Sequence, residues 1–143
     1  MKNILLLSAL ALVLFSCGTS KKTNSYANRM YEVLLQQNDG GGNIHFYEIL
    51  SEADEIKMLL HDEKLKGKIN AADVQQSNFV ILNMGEKPTS GYAIAIDSVI
   101  ETDENIVIKV REINPDPNAM LMQVITYPYT VVKINSKKKI IIK

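Results

Sequence analysis

Hydrolytic chemistry needs a nucleophile, a base to activate it and donors for the developing oxyanion. The chain holds two histidines, His45 and His61. His45 stands in an alternating, strand-like run. His61 ends a helical pattern, where a cation would face the negative end of the helix dipole. Both positions suit structural histidines. No Gly-x-Ser-x-Gly elbow is present. His61-Asp62-Glu63 lacks the spacing of a zinc-binding helix, and no His/Asp/Glu cluster has metal-ligand spacing. Glu101-Thr102-Asp103-Glu104 reads as a hairpin turn, without the ligand pattern of a calcium loop. Gly40-Gly41-Gly42 has the composition of a phosphate cradle, but no Lys-Ser/Thr follows and an extended apolar run comes next. These residues predict a chain that is not an enzyme and needs no cofactor or metal.

Recognition is the alternative to catalysis, and two segments offer it. Lys87-Pro88-Thr89-Ser90-Gly91-Tyr92 combines demanding residue types. Pro88 fixes its own φ, Gly91 permits positive φ, and the Thr89 and Ser90 hydroxyls can bond nearby backbone. One reading is a tight β-turn with Tyr92 opening the next strand. The other is a rigid loop presenting Pro88, Thr89, Ser90, Gly91 and Tyr92 to a partner. Tyr127-Pro128-Tyr129 is the second segment. Two tyrosines around a proline can form a binding rim, because tyrosine buries area at low entropic cost. They can equally pack in a core and cap an edge strand.

Cys17 is the only cysteine. It follows Lys2 and the apolar run Ile4 to Phe15, closing Leu14-Phe15-Ser16-Cys17. This stretch resembles a bacterial lipoprotein signal with its lipobox, cleaved after Ser16. The run is too short to span a bilayer core of about 30 Å. The resemblance implies a diacylglycerol thioether on Cys17 and a further acyl chain on the new amino terminus. At about 0.8 kcal/mol per buried methylene, several chains anchor almost permanently. Gly18, in place of an acidic residue, points to the outer membrane. Residues 1–16 are then a signal peptide, 17–29 a lipidated polar tether, and 30–143 a single domain.

Sixteen basic and sixteen acidic residues cancel. A chain without a strong field is a poor ligand for nucleic acid. Lys137-Lys138-Lys139 reads as a solvated turn before a last strand. The elements must hold the two loops. Tyr31, Val33 and Leu35 alternate, and a strand over Ile44 to Leu50 puts Ile44, Phe46 and Glu48 on one face. The Gly-rich stretch between them predicts a hairpin. Ser51 reads as an N-cap to a helix near residues 51–64, with Ala53, Ile56, Leu59 and Leu60 on one face. Phe79 to Met84 reads as a buried strand. Ile94 and Ile96, then Ile106, Ile108 and Val110, mark two half-exposed ones. Leu121 to Tyr127 reads as a strand interrupted at Pro128, Tyr129 to Ile134 as its continuation, and Ile140 to Ile142 as a final short one. The sum is an α+β fold, mainly an antiparallel sheet of about six to seven strands with one helix.

Together these segments resemble a known family. Tyr47-Glu48-Ile49-Leu50 before the helix, Val80-Ile81-Leu82-Asn83-Met84-Gly85, Lys87 to Tyr92 running into Ala93-Ile94-Ala95-Ile96, and Tyr127 to Ile134 are similar to the C-terminal domain of the protease complex subunit PrcB family. The resemblance implies a lipoprotein accessory subunit that associates with and stabilises a protease. It implies a protein partner in the cell envelope and no catalysis. A second resemblance concerns the loops alone. Chagasin-type inhibitors of cysteine peptidases use an Asn-Pro-Thr-Thr-Gly-Tyr loop and a later Arg-Pro-Trp loop, in the order of Lys87–Tyr92 and Tyr127–Tyr129. Lys87, Ser90, Tyr127 and Tyr129 depart from that pattern, and no glycine follows Gly91 to supply the middle loop. Peptidase inhibition and envelope-glycan binding are the alternative functions.

Overall fold

The computed structural model describes residues 30–143. The expected signal peptide, lipidation at Cys17 and tether fall outside the described residues. Among those described, seven strands and two short helices follow in the order β1 (Tyr31–Gln37), β2 (His45–Leu50), α1 (Ala53–Leu59), α2 (Asp73–Gln76), β3 (Asn78–Met84), β4 (Ala93–Glu101), β5 (Asn105–Ile113), β6 (Tyr129–Ile134) and β7 (Lys139–Ile142). The α+β reading holds.

A four-stranded sheet runs β1-β6-β3-β2 and a three-stranded one β4-β5-β7. Every pair is antiparallel except β5 with β7. The sheets close on a shared core of Val80, Leu82 and Met84 from β3, Ile94 and Ile96 from β4, Ile106 and Ile108 from β5, Val132 and Ile134 from β6, and Ile140 from β7. The other face of the four-stranded sheet packs Phe79 and Val131 against Ile56, Leu65, Ile69 and Val74 from the helical layer. Strand β3 is therefore covered on both faces. A period-two strand buried on both sides reads as an unbroken apolar run, which is how 79–84 reads.

The free edge of β4 is fastened to the other sheet by side chains. The Ile94 carbonyl accepts from Thr130 Oγ1 at 2.6 Å and from Gln36 Nε2 at 3.0 Å. In the helical layer, Lys133 Nζ lies 2.9 Å from Glu32 and 3.6 Å from Asp73. Burial opposes its charge, but the two carboxylates outweigh that and hold its pKa above the ordinary lysine value.

Four sequence expectations are corrected. Strands β1 and β2 form no hairpin: β1 pairs with β6 and β2 with β3, at opposite edges of one sheet. The glycines between them serve as a crossing connection. In β1 the alternation breaks at a bulge between Val33 and Leu35, so Leu34 is buried and Val33 exposed. The helix starts after Glu52, whose carboxylate forms a capping box with Glu55, and not after Ser51. It stops at Leu59 because the chain tightens into turns: Leu60, His61 and Asp62 donate to Lys57, Met58 and Leu59 carbonyls. Finally, Leu121–Ile125 is not a strand of either sheet; only Thr126 makes an isolated bridge, to Lys87.

The expected turns stand elsewhere. Thr102 and Asn105 close the β4–β5 hairpin through Thr102 Oγ1. Lys137 donates to the Ser51 carbonyl and Lys138 pairs with Glu101, ahead of β7.

Candidate interaction surface

Three connections meet at one end of the two sheets: residues 38–44, 85–92 and 114–128. Asn83 fixes the first. Its buried amide donates to Gly42 and Ile44 carbonyls and accepts from Gly42 N–H at 2.9 Å. Gly41 N–H donates to the Tyr127 carbonyl at 2.9 Å, and Tyr127 N–H to Asp39 Oδ1 at 3.2 Å. The Gly-rich stretch is thus tied to Tyr127-Pro128-Tyr129 across the sheet end.

The second and third connections clamp each other. Lys87 and Thr126 exchange backbone hydrogen bonds at 2.9 and 3.0 Å. Ser90 N–H donates to the Met122 carbonyl, and Met122 N–H to Ser90 Oγ. Thr126 Oγ1 donates to the Thr89 carbonyl at 3.0 Å and Thr89 Oγ1 to the Ser90 carbonyl at 3.1 Å. Both hydroxyls are therefore spent on backbone. What the loop presents outward is Pro88 and Gly91, both exposed, with Thr89 and Ser90 half-buried. Tyr92 is half-buried against the inter-sheet core, with Lys87 Nζ 5.7 Å above its ring.

The tyrosine pair divides. Tyr127 OH donates to Glu86 at 3.1 Å, which raises its pKa. Tyr129 packs at the helical-layer core and its hydroxyl bonds Gln37 and Lys64. Pro128 is buried between them. The structure thus brings 88–92 and Tyr127 to one end, while Tyr129 faces the helical side.

Sequence reasoning missed the cluster beside this loop. His45 Nε2 lies 2.6 Å from Glu112 Oε1, and Tyr47 OH donates to the same oxygen at 3.2 Å. Burial pushes the Glu112 carboxyl up, but His45, Tyr47 and nearby Lys87 together bring it below its ordinary value. Burial, then the Glu112 charge, raises Tyr47. The signal was available: Glu112 continues the inward phase of Ile106, Ile108 and Val110. Chemically this is an imidazole oriented by a carboxylate, with no hydroxyl nucleophile bonded to its other nitrogen. His61 Nδ1 meets only the Lys57 carbonyl. Among the described residues no group of three or more His, Cys, Asp or Glu side chains could hold a metal ion. A shallow groove of about 420 Å³ lies away from the loops, on the three-stranded sheet, and Lys109 and Lys143 are its only titratable groups.

Residues 78–135 match the family described as PrcB C-terminal. An uncharacterized protein of Methanocaldococcus jannaschii is 36% identical over 56 residues, covering 39% of this chain and 33% of that protein. The chain thus spans about a third of the length of that relative. No solved structure matches.

Proposed function

With the PrcB C-terminal family carried by residues 78–135, we propose that this chain is a non-catalytic accessory subunit that binds a protease, or another envelope protein, through the end formed by its three connections. One observation carries the reading. The 87–91 loop is pinned by hydrogen bonds to residues 122 and 126 and by packing of Tyr92, so it meets a partner with little entropy left to lose. The resemblance of these segments to the protease complex subunit PrcB family supports a protease as the partner class. Polarity of the molecule supports the same reading. Met30 bonds Asn135, beyond the far end of β6, so the chain enters at the end opposite to the loops.

The test is crosslinking and co-purification of the full chain, C-terminally tagged, from its own host, beside Pro88→Glu, which alters a ring that the loop presents to solvent. Enrichment of one protease or envelope protein that the variant loses, at unchanged melting temperature, is the expected result. Equal recovery by both proteins would remove the loop from the interface. A second reading is favoured by the same adjacency of 88–92 and Tyr127: a β-loop wedge inhibiting a cysteine peptidase. Papain-like peptidases left fully active by the purified chain would exclude it.

A further inference from the structure

Residues 120–125 have the composition of a strand and the environment of none. Met120 is fully exposed, and Met122, Val124 and Ile125 keep 69%, 47% and 53% of their surface in solvent. Met122 and Thr126 turn their backbone groups to the 87–90 loop. Tyr127 turns its own the other way, to Asp39 and Gly41. Alternation along an extended chain then puts the N–H and C=O of Leu121, Gln123 and Ile125 on Tyr127's side. No hydrogen bond among the described residues satisfies them. This is an open edge running on from the Gly-rich connection.

Native edges of this kind are normally blunted by charge, above all by lysine, because an open ladder templates pairing with another chain. Here residues 117–132 carry no charged side chain, and the whole chain is formally neutral. Pairing with the polar 18–28 segment would set Lys21 and Lys22 against an apolar edge. Its own copy fits better. Antiparallel pairing about a two-fold axis at Gln123 sets Gln123 on Gln123, Leu121 on Ile125, and Met122 on Val124. Each cross-strand pair is amide on amide or apolar on apolar, with no like charges opposed. We infer that residues 120–125 are the self-association edge of this protein, where a second copy of the chain adds antiparallel through Leu121, Gln123 and Ile125. The 87–90 loop lies on the other side of the segment and stays outside the ladder. The inference is independent of the loop's partner.

Sedimentation velocity of the full chain in mild detergent tests it, beside Val124→Lys. Val124 is half in solvent, so the lysine leaves the monomer's melting temperature unchanged. Setting an ammonium against Met122 of the copy should weaken dimerisation by at least about tenfold. Register is read separately. Cα atoms of a hydrogen-bonded antiparallel pair lie about 5.5 Å apart, within disulfide reach. Gln123→Cys in a Cys17→Ser background should therefore oxidise to a covalent dimer, and Asp103→Cys in the same background should not. A chain that stays monomeric to its solubility limit overturns the inference. So does a dimer that Val124→Lys leaves intact, or a segment protected only by a different protein.

Discussion

Gly91 holds φ at +92°, and a Cβ built there would stand 2.8 Å from Pro115 Cβ and 3.2 Å from Leu121 Cδ2. Two costs therefore coincide: a left-handed backbone, which strains any side chain, and a contact with the ordered 114–121 segment. Gly67 separates them, since its φ is +76° and nothing lies within 4 Å of its Cβ position. Gly67→Ala should cost about 1 kcal/mol from backbone strain alone. Gly91→Val should cost about 3 kcal/mol or more, with Thr89 and Ser90 displaced as well. Urea midpoints decide it, and equal losses would show that the clash relaxes freely. The demand for glycine at position 91 was legible from Pro-Thr-Ser-Gly-Tyr alone. The fate of the Thr89 and Ser90 hydroxyls was not: Thr89 Oγ1 donates to the Ser90 carbonyl, but Ser90 Oγ accepts from the N–H of Met122, 32 residues further along the chain.

Elements are held together here by polar pins as much as by apolar faces. Lys133 on β6 reaches Glu32 on β1 and Asp73 at the start of α2. Lys68 adds a bond to the Leu34 carbonyl at the β1 bulge. Lys133→Ala would leave the largely buried Asp73 carboxylate with its desolvation and without its cation, for a loss of about 2 kcal/mol. Because its pKa is raised, the lysine stabilises fully below its ordinary value of 10.5 and less as pH climbs through its folded pKa. Lys133→Ala/Asp73→Ala should cost less than the sum of the single changes, by chemical denaturation near neutral pH. Strict additivity would mean that the two groups do not interact. The presence of α1 and of strands β2 to β6 was readable because periodicity is local; α2 was not. The helix length was not: the turns after Leu59 bury Leu65 and Ile69 against Phe79, a gain visible only once the sheet exists.

Across the whole molecule, two cores meet through the shared strands β3 and β6. Phe79 is fully buried on the helical side while Val80 and Leu82 are fully buried between the sheets. Phe79→Ala should cost about 3–5 kcal/mol. It should also leave one cooperative transition, with far-ultraviolet circular dichroism and tyrosine fluorescence falling together. Separate midpoints would show the helical layer melting by itself.

The sequence by itself determined the strand character of β2 to β6, the presence of α1, the burial of residues 79–84 and the turn chemistry at 87–92, since each depends on periodicity or on a residue's own backbone limits. Only the tertiary structure decided that β1 joins β6 instead of β2, that Glu112 meets His45, and that 121–125 lies outside both sheets. Alternation fixes which face a strand buries but not which strand lies beside it. The neighbour is chosen by the packing of all layers at once, and among the described residues that choice leaves 120–125 outside both sheets.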